Sequence, residues 1–310
     1  MQDIIQPVDK DLLKSELTQE KLLRRTNKSN NEIYVVTAHD SPNVMLEIGR
    51  LREIAFRHYG GGTGLSADID EYDTMENAYR QLIVWNPADE KILGGYRFLC
   101  GDDVRFDAEG KPILATAHLF DFSDEFLHDY LPYTVELGRS FVSLDYQATL
   151  GCTKGIFVLD NLWDGLGALT VINPSLKYFY GKVTMYATYN VEARNMILYF
   201  LNLHFPDDKG LVIPKHPLNT DIDIPKMEAL FCGKNFKDNY RVLNQEVRRL
   251  GYDVPPLFNA YMNLSLKMRV FGTAINGLFG DVEETGILIA IDEILEEKKK
   301  RHIESFLENS

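Results

Sequence analysis

Two hydrophobic periods alternate along this chain. Apolar residues recur at helical spacing through Met45, Ile48, Leu51, Ile54 and Ala55, the stripe of a helix with one buried face. Ser41-Pro42-Asn43 stands just ahead of them and offers a cap and a proline suited to a first turn. Residues 33–37, 82–85 and 92–99 are instead unbroken β-rich runs, the last two flanking the turn NPADEK, and they read as strands. Residues 135–144 (VELGRSFVSL) read as another strand, with Gly138 marking a bulge. Further strands are expected at 183–187 and 286–291. Helices are expected at 156–172, 191–204 and 236–250, with a charged terminal helix at 292–307 and an amphipathic helix at 8–25. Residues 101–133 read as a long, irregular acidic insertion, and no internal repeat or low-complexity stretch is visible.

Strands alternating with helices predict an α/β or mixed α+β fold. Three parts suggest themselves. Residues 1–32 form an N-terminal helix and loop, 33–205 a core, and 206–310 a C-terminal extension packed on it.

Composition narrows the function. The chain has 310 residues, 45% of them hydrophobic and 25% charged, which is an ordinary globular make-up. A net charge of −13 argues against nucleic-acid binding, which needs a basic surface to displace counterions from phosphate. No apolar run nears the roughly 18 residues of a spanning helix, and no secretory signal opens the sequence. The expected location is the cytoplasm. The helix at 8–25 either packs on the domain or lies on the inner face of a membrane. Cys100, Cys152 and Cys232 are too scattered for a disulfide framework or a CxxC zinc site, and no metal is expected.

The charge is uneven. Residues 61–136 carry sixteen acids against five bases, whereas residues 137–280 carry twelve against fifteen. The acidic stretch is either a set of solvated loops or the wall of a pocket for a cation.

Three constellations stand out. Asp68, Asp70 and Asp73 form the first; Asp68 and Asp70, two apart, share a face in extended chain. The cluster either holds a cation such as an ammonium group or is a solvated loop. Glu136-Leu137-Gly138-Arg139-Ser140-Phe141 is the second. A bulge at Gly138 would bring Glu136 and Arg139 to one face and free a backbone N–H. An acid, a base and a free N–H on one strand suit acyl transfer: the carboxylate takes a proton from an amine, and the N–H near Phe141 steadies the oxyanion. A salt bridge on a sheet face is the alternative. The third is Thr153-Lys154-Gly155 ahead of a helix start, a weak version of a phosphate-binding turn.

The order of these motifs resembles a known family. Arg52-x-x-x-Phe56, Asp68-x-Asp70-x-x-Asp73, Arg97 after Gly94-Gly95, and Glu136-Leu137-x-Arg139 together resemble the acyl-homoserine-lactone synthases, a branch of the GNAT acyltransferases. VELGRSFVSLDYQ, LWDGLGALTVINPSLKYFYGKVTM and VPPLFNAYMNLSLKMRVFG are similar to the amino-acid N-acyltransferases of ornithine- and glycine-lipid synthesis, sometimes labelled hemolysin-like. The N-terminal stretch and the GGGTG loop look most like the glycine-lipid members. Asp68 stands where the lactone pattern has glutamate, and HYGGGTG where it has a tryptophan, which weighs against lactone formation.

The resemblance implies a GNAT-like fold: a central twisted mixed sheet flanked by helices. It implies transfer of a (3-hydroxy)fatty acyl group from acyl carrier protein or CoA to the amine of an amino acid, with glycine favoured. Acyl carrier protein or acyl-CoA is then a cosubstrate rather than a bound cofactor. The alternatives are a homoserine-lactone-type synthase, ornithine as acceptor, or a non-catalytic hemolysin-like binding protein. Glu136 is the expected base. Arg97 or Arg139 pairs with the acceptor's carboxylate as a fork, unless Arg139 is a structural partner of the aspartates. Arg52 and Phe56 complete the acceptor end. Phe141, Leu162, Trp163, Leu166, Met185 and Tyr186 are candidates for an acyl tunnel, with Tyr186 or Tyr189 as proton donor to the leaving thiolate. An acidic carrier protein is expected to dock on the basic stretch that includes Lys154, Lys177, Lys182, Arg194, Arg241, Arg248, Arg249, Lys267 and Arg269.

Overall fold

The computed structural model describes residues 1–147 and 157–308. Thr153, Lys154 and Gly155 lie outside the described residues. Among those described, the strands are β1 (Leu22–Arg25), β2 (Glu32–Val36), β3 (Arg80–Asn86), β4 (Lys91–Cys100), β5 (Phe120–Phe122), β6 (Thr134–Val142), β7 (Tyr178–Met185), β8 (Val212–Pro214), β9 (Arg269–Asn276) and β10 (Val282–Ala290). The principal helices are α1 (Lys10–Glu16), α2 (Pro42–His58), α3 (Glu71–Thr74), α4 (Val158–Ile172), α5 (Val191–His204), α6 (Ile224–Leu230), α7 (Phe236–Arg249) and α8 (Pro256–Met262). Eight strands make one sheet in the order β1-β2-β3-β4-β6-β7-β10-β9.

Alternation along the strands assigns the two faces. Leu82, Val84 and Phe98 face the core built with α4, α5, α7 and α8. Ile83 and Trp85 face the other way, against Val44, Ile48 and Phe56 of α2. The same second face carries Tyr79, Leu99, Tyr180 and Leu288, covered by Leu114, Leu119, Phe120 and Phe126 of the 101–133 insertion. That insertion is broken into short elements as expected, but it has an apolar core of its own. The sheet face beneath α2 and the insertion is therefore greasy at both ends, with a polar strip between.

Every pairing in the large sheet is antiparallel except β6 with β7. These two run parallel from Thr134 opposite Tyr178 to Leu137 opposite Gly181, where the pairing ends. Beyond that point β6 continues along β4 and β7 along β10. The bulge anticipated at Gly138 sits at this fork. Arg97 and Gly95 of β4 pair with Gly138 and Phe141 of β6, so β6 has one residue too many. Arg139 absorbs it with a left-handed φ of 48°, costly for a residue with a Cβ and therefore held by its contacts. Gly94 is needed opposite: a Cβ there would lie 2.5 Å from the Phe141 carbonyl oxygen.

Three expectations are corrected. Residues 8–25 are not one helix: α1, capped by the Asp9 carboxylate, ends at Leu17, and β1 pairs with β2. Ladder pairing at the sheet edge outweighs the helical period there. The expected helix at 292–307 is divided into a single turn at Glu296–Lys299, a wider π-type turn at Lys300–Glu304 and a last turn at Ser305–Leu307. His302 in the wide turn is buried with Nδ1 2.8 Å from the Asp164 carboxylate. β9 went unforeseen, because Gly272, at φ 90°, interrupts its pattern. Together β9 and β10 bring the C-terminal part of the chain into the sheet. No helix among the described residues is long and apolar enough to cross a membrane.

Gly94→Ala forces β4 and β6 apart at the bulge. Overpacking of this kind costs about 1–3 kcal/mol, and the urea midpoint is expected to fall accordingly.

Candidate active site

The polar strip starts on α2. Arg52 points to the sheet and is only 1% exposed. Its Nη1 lies 3.2 Å from Asp73, and its Nη2 donates to Gln81 of β3. Gln81 in turn donates to Asp73 at 2.9 Å. The next residue of α2, buried Glu53, organises the glycine-rich loop: its carboxylate accepts from Thr63 N and Oγ1, Gly64 N and Arg57 Nε. Burial disfavours its charge, but Arg57, Thr63 and Gly64 outweigh burial and hold its pKa below the ordinary value.

The aspartates enter from the loop that follows. Asp70 caps α3, accepting from Tyr72 N and Asp73 N, and Asp73 returns the favour to Asp70 N, a reciprocal capping box. The same capping oxygens, Oδ1 of Asp70 and Oδ2 of Asp73, also meet the sheet. Arg97 Nη1 of β4 lies 2.6 Å from Asp70 and 3.4 Å from Asp73. Arg139, thrown out by the β6 bulge, lies 2.9 Å from Asp68 and 3.4 Å from Asp70. Asp68 and Asp70 thus share a face, as their spacing implies, and both meet Arg139.

Three arginines and three aspartates therefore form one lattice, buried at Arg52, Arg97, Asp68 and Asp73 and open to solvent at its Asp70 edge. Burial alone would raise the Asp73 pKa, but Arg52 and Arg97 overcome it and bring it down to about 2. At Asp68 burial wins over Arg139 and Arg52, and its pKa is raised. Of the two roles open to Arg139, partnership with the aspartates is the one its contacts display. Phe279 lies under the Arg139 guanidinium at 4.4 Å and meets Phe56 edge-on at 5.1 Å, so Phe56 walls the lattice on its apolar side.

Glu136 lies beyond Arg97 on the same strip. Tyr79 Oη donates to one of its oxygens and Thr116 N to the other, at 3.0 Å. Tyr79 Oη also accepts from Ala115 N at 2.8 Å. Glu136 is 2% exposed, and burial raises its pKa above the ordinary 4.5. The Tyr79 ring, in turn, lies 5.3 Å from the Arg97 guanidinium, which links Glu136 to the lattice. Tyr79, Gln81 and Thr116 were not singled out in the sequence. Gln81 leaves one trace, a polar residue at the start of an otherwise apolar strand, whereas Tyr79 precedes that strand and Thr116 sits in a turn of the insertion.

The acyl-tunnel candidates separate across the sheet. Phe141 and Tyr186 pack on the α2 side; Leu162, Trp163, Leu166 and Met185 pack on the α4 side. Trp163 meets Phe179 and Tyr261 edge-on. Those two line a small, mostly apolar cavity of about 10 Å³ with Leu137, Gly181 and Ile287, where β6 and β7 part. Tyr186 stacks on Tyr59 at 5.5 Å near the glycine loop, whereas Tyr189 is committed to the Asp253 carbonyl. Two of the expected docking cations are largely withdrawn from the surface: Lys182 pairs with Glu284 and Arg194 with Glu283, with 13% and 11% of their side chains exposed. Arg248 and Lys267 remain largely exposed.

Asp73→Asn leaves Arg52 and Arg97 buried without their shared counter-charge. A loss of about 3–5 kcal/mol in urea unfolding at neutral pH is expected. The Asp73 carboxylate stabilises the fold above the ordinary 3.8 and loses that effect as the pH falls through about 2. The difference between variant and wild type is therefore expected to shrink near pH 2.

Comparison with known proteins agrees with this architecture. Residues 51–153 match the family model described as an acetyltransferase (GNAT) domain. A glycine N(alpha)-acyltransferase of Phocaeicola vulgatus is 66% identical over 307 residues, 99% of this chain and 94% of that protein. Another of the same name, from Bacteroides thetaiotaomicron, is 64% identical over 309 residues, 100% of this chain and 92% of that protein. The solved structure of FeeM, an N-acyl amino acid synthase from uncultured soil microbes, aligns with a TM-score of 0.43 at 9% identity, over 85% of this chain and 93% of that one. Matched almost end to end by the two bacterial enzymes, the chain is a GNAT-fold acyltransferase and belongs to the glycine N(alpha)-acyltransferase family.

Proposed function

We propose that the protein moves a fatty acyl group from the thioester of acyl carrier protein, or of CoA, to the α-amine of glycine. The observation that carries this reading is the 66% identity over nearly the whole chain to a protein named for that acceptor. The site fits the chemistry. At neutral pH the amine is an ammonium and cannot attack a thioester. A carboxylate must take its proton, directly or through water, and Glu136, next to the fork of β6 and β7 with a pKa raised by burial, is the candidate. The freed amine attacks the thioester carbonyl carbon, the C–S bond breaks, and the thiolate leaves and is protonated. A backbone N–H of the bulged stretch ending at Phe141 would hold the oxyanion, which supplies typically 10²–10³-fold. The Tyr186 hydroxyl is the candidate proton donor.

The donor's acyl chain would enter by the fork, past Trp163. Exposed Arg248 and Lys267, with Lys177 and Arg241, would receive an acidic carrier protein. A cytoplasmic enzyme touching the inner membrane surface suits a lipid-like product.

Two measurements test this. Purified protein given acyl carrier protein or CoA thioesters with glycine, ornithine or S-adenosylmethionine is expected to yield N-acylglycine by mass spectrometry. An acylated ornithine or a lactone as the main product contradicts the reading. In the second, Glu136→Gln is expected to keep its circular dichroism and lose about 10²–10⁴-fold in kcat/KM. Because the base must be ionised, wild-type activity falls as the pH drops through the raised Glu136 pKa. A variant that keeps full activity with that acid limb intact removes Glu136 as the base.

A further inference from the structure

The same sheet face carries a second buried ion pair, outside the arginine–aspartate lattice. Glu136 of β6 stands opposite Tyr180 of β7, and Arg97 of β4 opposite Gly138 of β6. Paired residues share a face and alternate residues repeat it. Lys182, two beyond Tyr180, therefore lies on the face of Arg97 and Glu136. So does Glu284, which stands opposite Thr184.

Glu284 is fully buried and well supplied. It accepts from Lys182 Nζ, from Thr184 Oγ1 at 2.7 Å and from Asn276 Nδ2 at 3.3 Å. These partners hold its pKa below the ordinary value against the opposing effect of burial. Lys182 is in the opposite situation. Its side chain is 13% exposed, and Glu284 is its one hydrogen-bond partner among the described residues. An ammonium group has three donors, so two are left over.

Lys182 itself stands beside the fork. Lys182 follows Gly181, where β7 leaves β6, and the residue across from it on β6 is Gly138. A Cβ at Gly138 would have only Arg97 within 4 Å, at 3.6 Å, so the space above that glycine is open. Arg97 and Arg139 are near enough to lower the Lys182 pKa, though burial is the larger cause. Three cations thus lie close together on this face. The two arginines are already neutralised by Asp68, Asp70 and Asp73. The ammonium with donors to spare belongs to Lys182.

We propose that Lys182, held in place by Glu284, binds the carboxylate of the amino-acid acceptor. The inference rests on the acyl-transfer reading and deepens it. With its carboxylate on Lys182, glycine would extend its amine along β6 towards Glu136, one same-face step or about 7 Å away along the strand. Arg97 and Arg139 then act as scaffold, and the carboxylate fork expected of them passes to a lysine fixed from behind by a buried glutamate.

Glycine and glycinamide separate this role from a structural one, since only glycine has the carboxylate. Lys182→Met is expected to lower kcat/KM for glycine by about 10- to 100-fold, the worth of a charge-assisted hydrogen bond, mainly through KM. Activity on glycinamide is expected to stay nearly unchanged. An equal loss on both acceptors, or no loss on glycine, overturns the proposal. If Lys182→Met does not fold, the wild type decides by itself. A clear preference for glycine over glycinamide, per free amine, supports a carboxylate site, and equal use of both overturns it. Wild-type protein that acylates no glycine defeats the acyl-transfer reading itself. N-acylglycine formed with an unselective Lys182→Met loss defeats the lysine's role alone.

Discussion

Arg52 and Arg97 can be buried here, and Arg139 nearly so, only because Asp68 and Asp73 are buried with them and Asp70 closes the edge. An unpaired charge in this strip would cost several kcal/mol, so Arg52, Arg97, Arg139, Asp68, Asp70 and Asp73 must be placed together or not at all. That requirement fixes much else. Arg52 sets the rotation of α2 on the sheet. The aspartates draw the loop after the glycine run inward, and the α3 capping box locks two of them. Arg139 reaches Asp68 from a β6 bulge with a left-handed residue at its centre. The ion pairs, the Phe279 ring beneath the guanidinium and Gly94 opposite together hold that strained residue.

The bulge is also where the sheet opens. β6 must serve β4 and β7 at once, and past Leu137 and Gly181 it keeps only β4. The fork, the open space over Gly138, buried Glu136 and largely buried Lys182 all lie at this break. The lattice and the opening are therefore one device: the charges that pin the bulge also hold the strands apart. Tyr79 connects the two, lying against Arg97 while donating to Glu136. Glu136 is thereby buried among neutral hydrogen-bond donors, with no charged group in direct contact.

Much of this was legible in the chain. Asp68 and Asp70 two apart and Gly138 within a strand each signalled a local geometry that the fold displays. The partners were not legible, because their contacts span long separations. Thr116 reaches Glu136 through the acidic insertion, which reads as solvated loop until its leucines and phenylalanines are seen packed on the sheet. Glu53 looks like one more helix-surface acid, yet it anchors the HYGGGTG loop. Lys182 counts towards a basic surface in any tally of charge, and only its pairing with Glu284 shows it to be buried. The 8–25 stretch failed for a related reason: a strand partner ten residues away outbid the local helical pattern.

The central claim is that the arginine–aspartate lattice is scaffold and that the acceptor is gripped elsewhere. A crystal structure with bound N-acylglycine tests it most directly. The account predicts that Arg97 keeps Asp70 and Asp73, that Arg139 keeps Asp68, and that the product's carboxylate lies at Lys182 with its amide nitrogen towards Glu136. A product carboxylate forked onto Arg97 or Arg139, with an aspartate displaced, would contradict it.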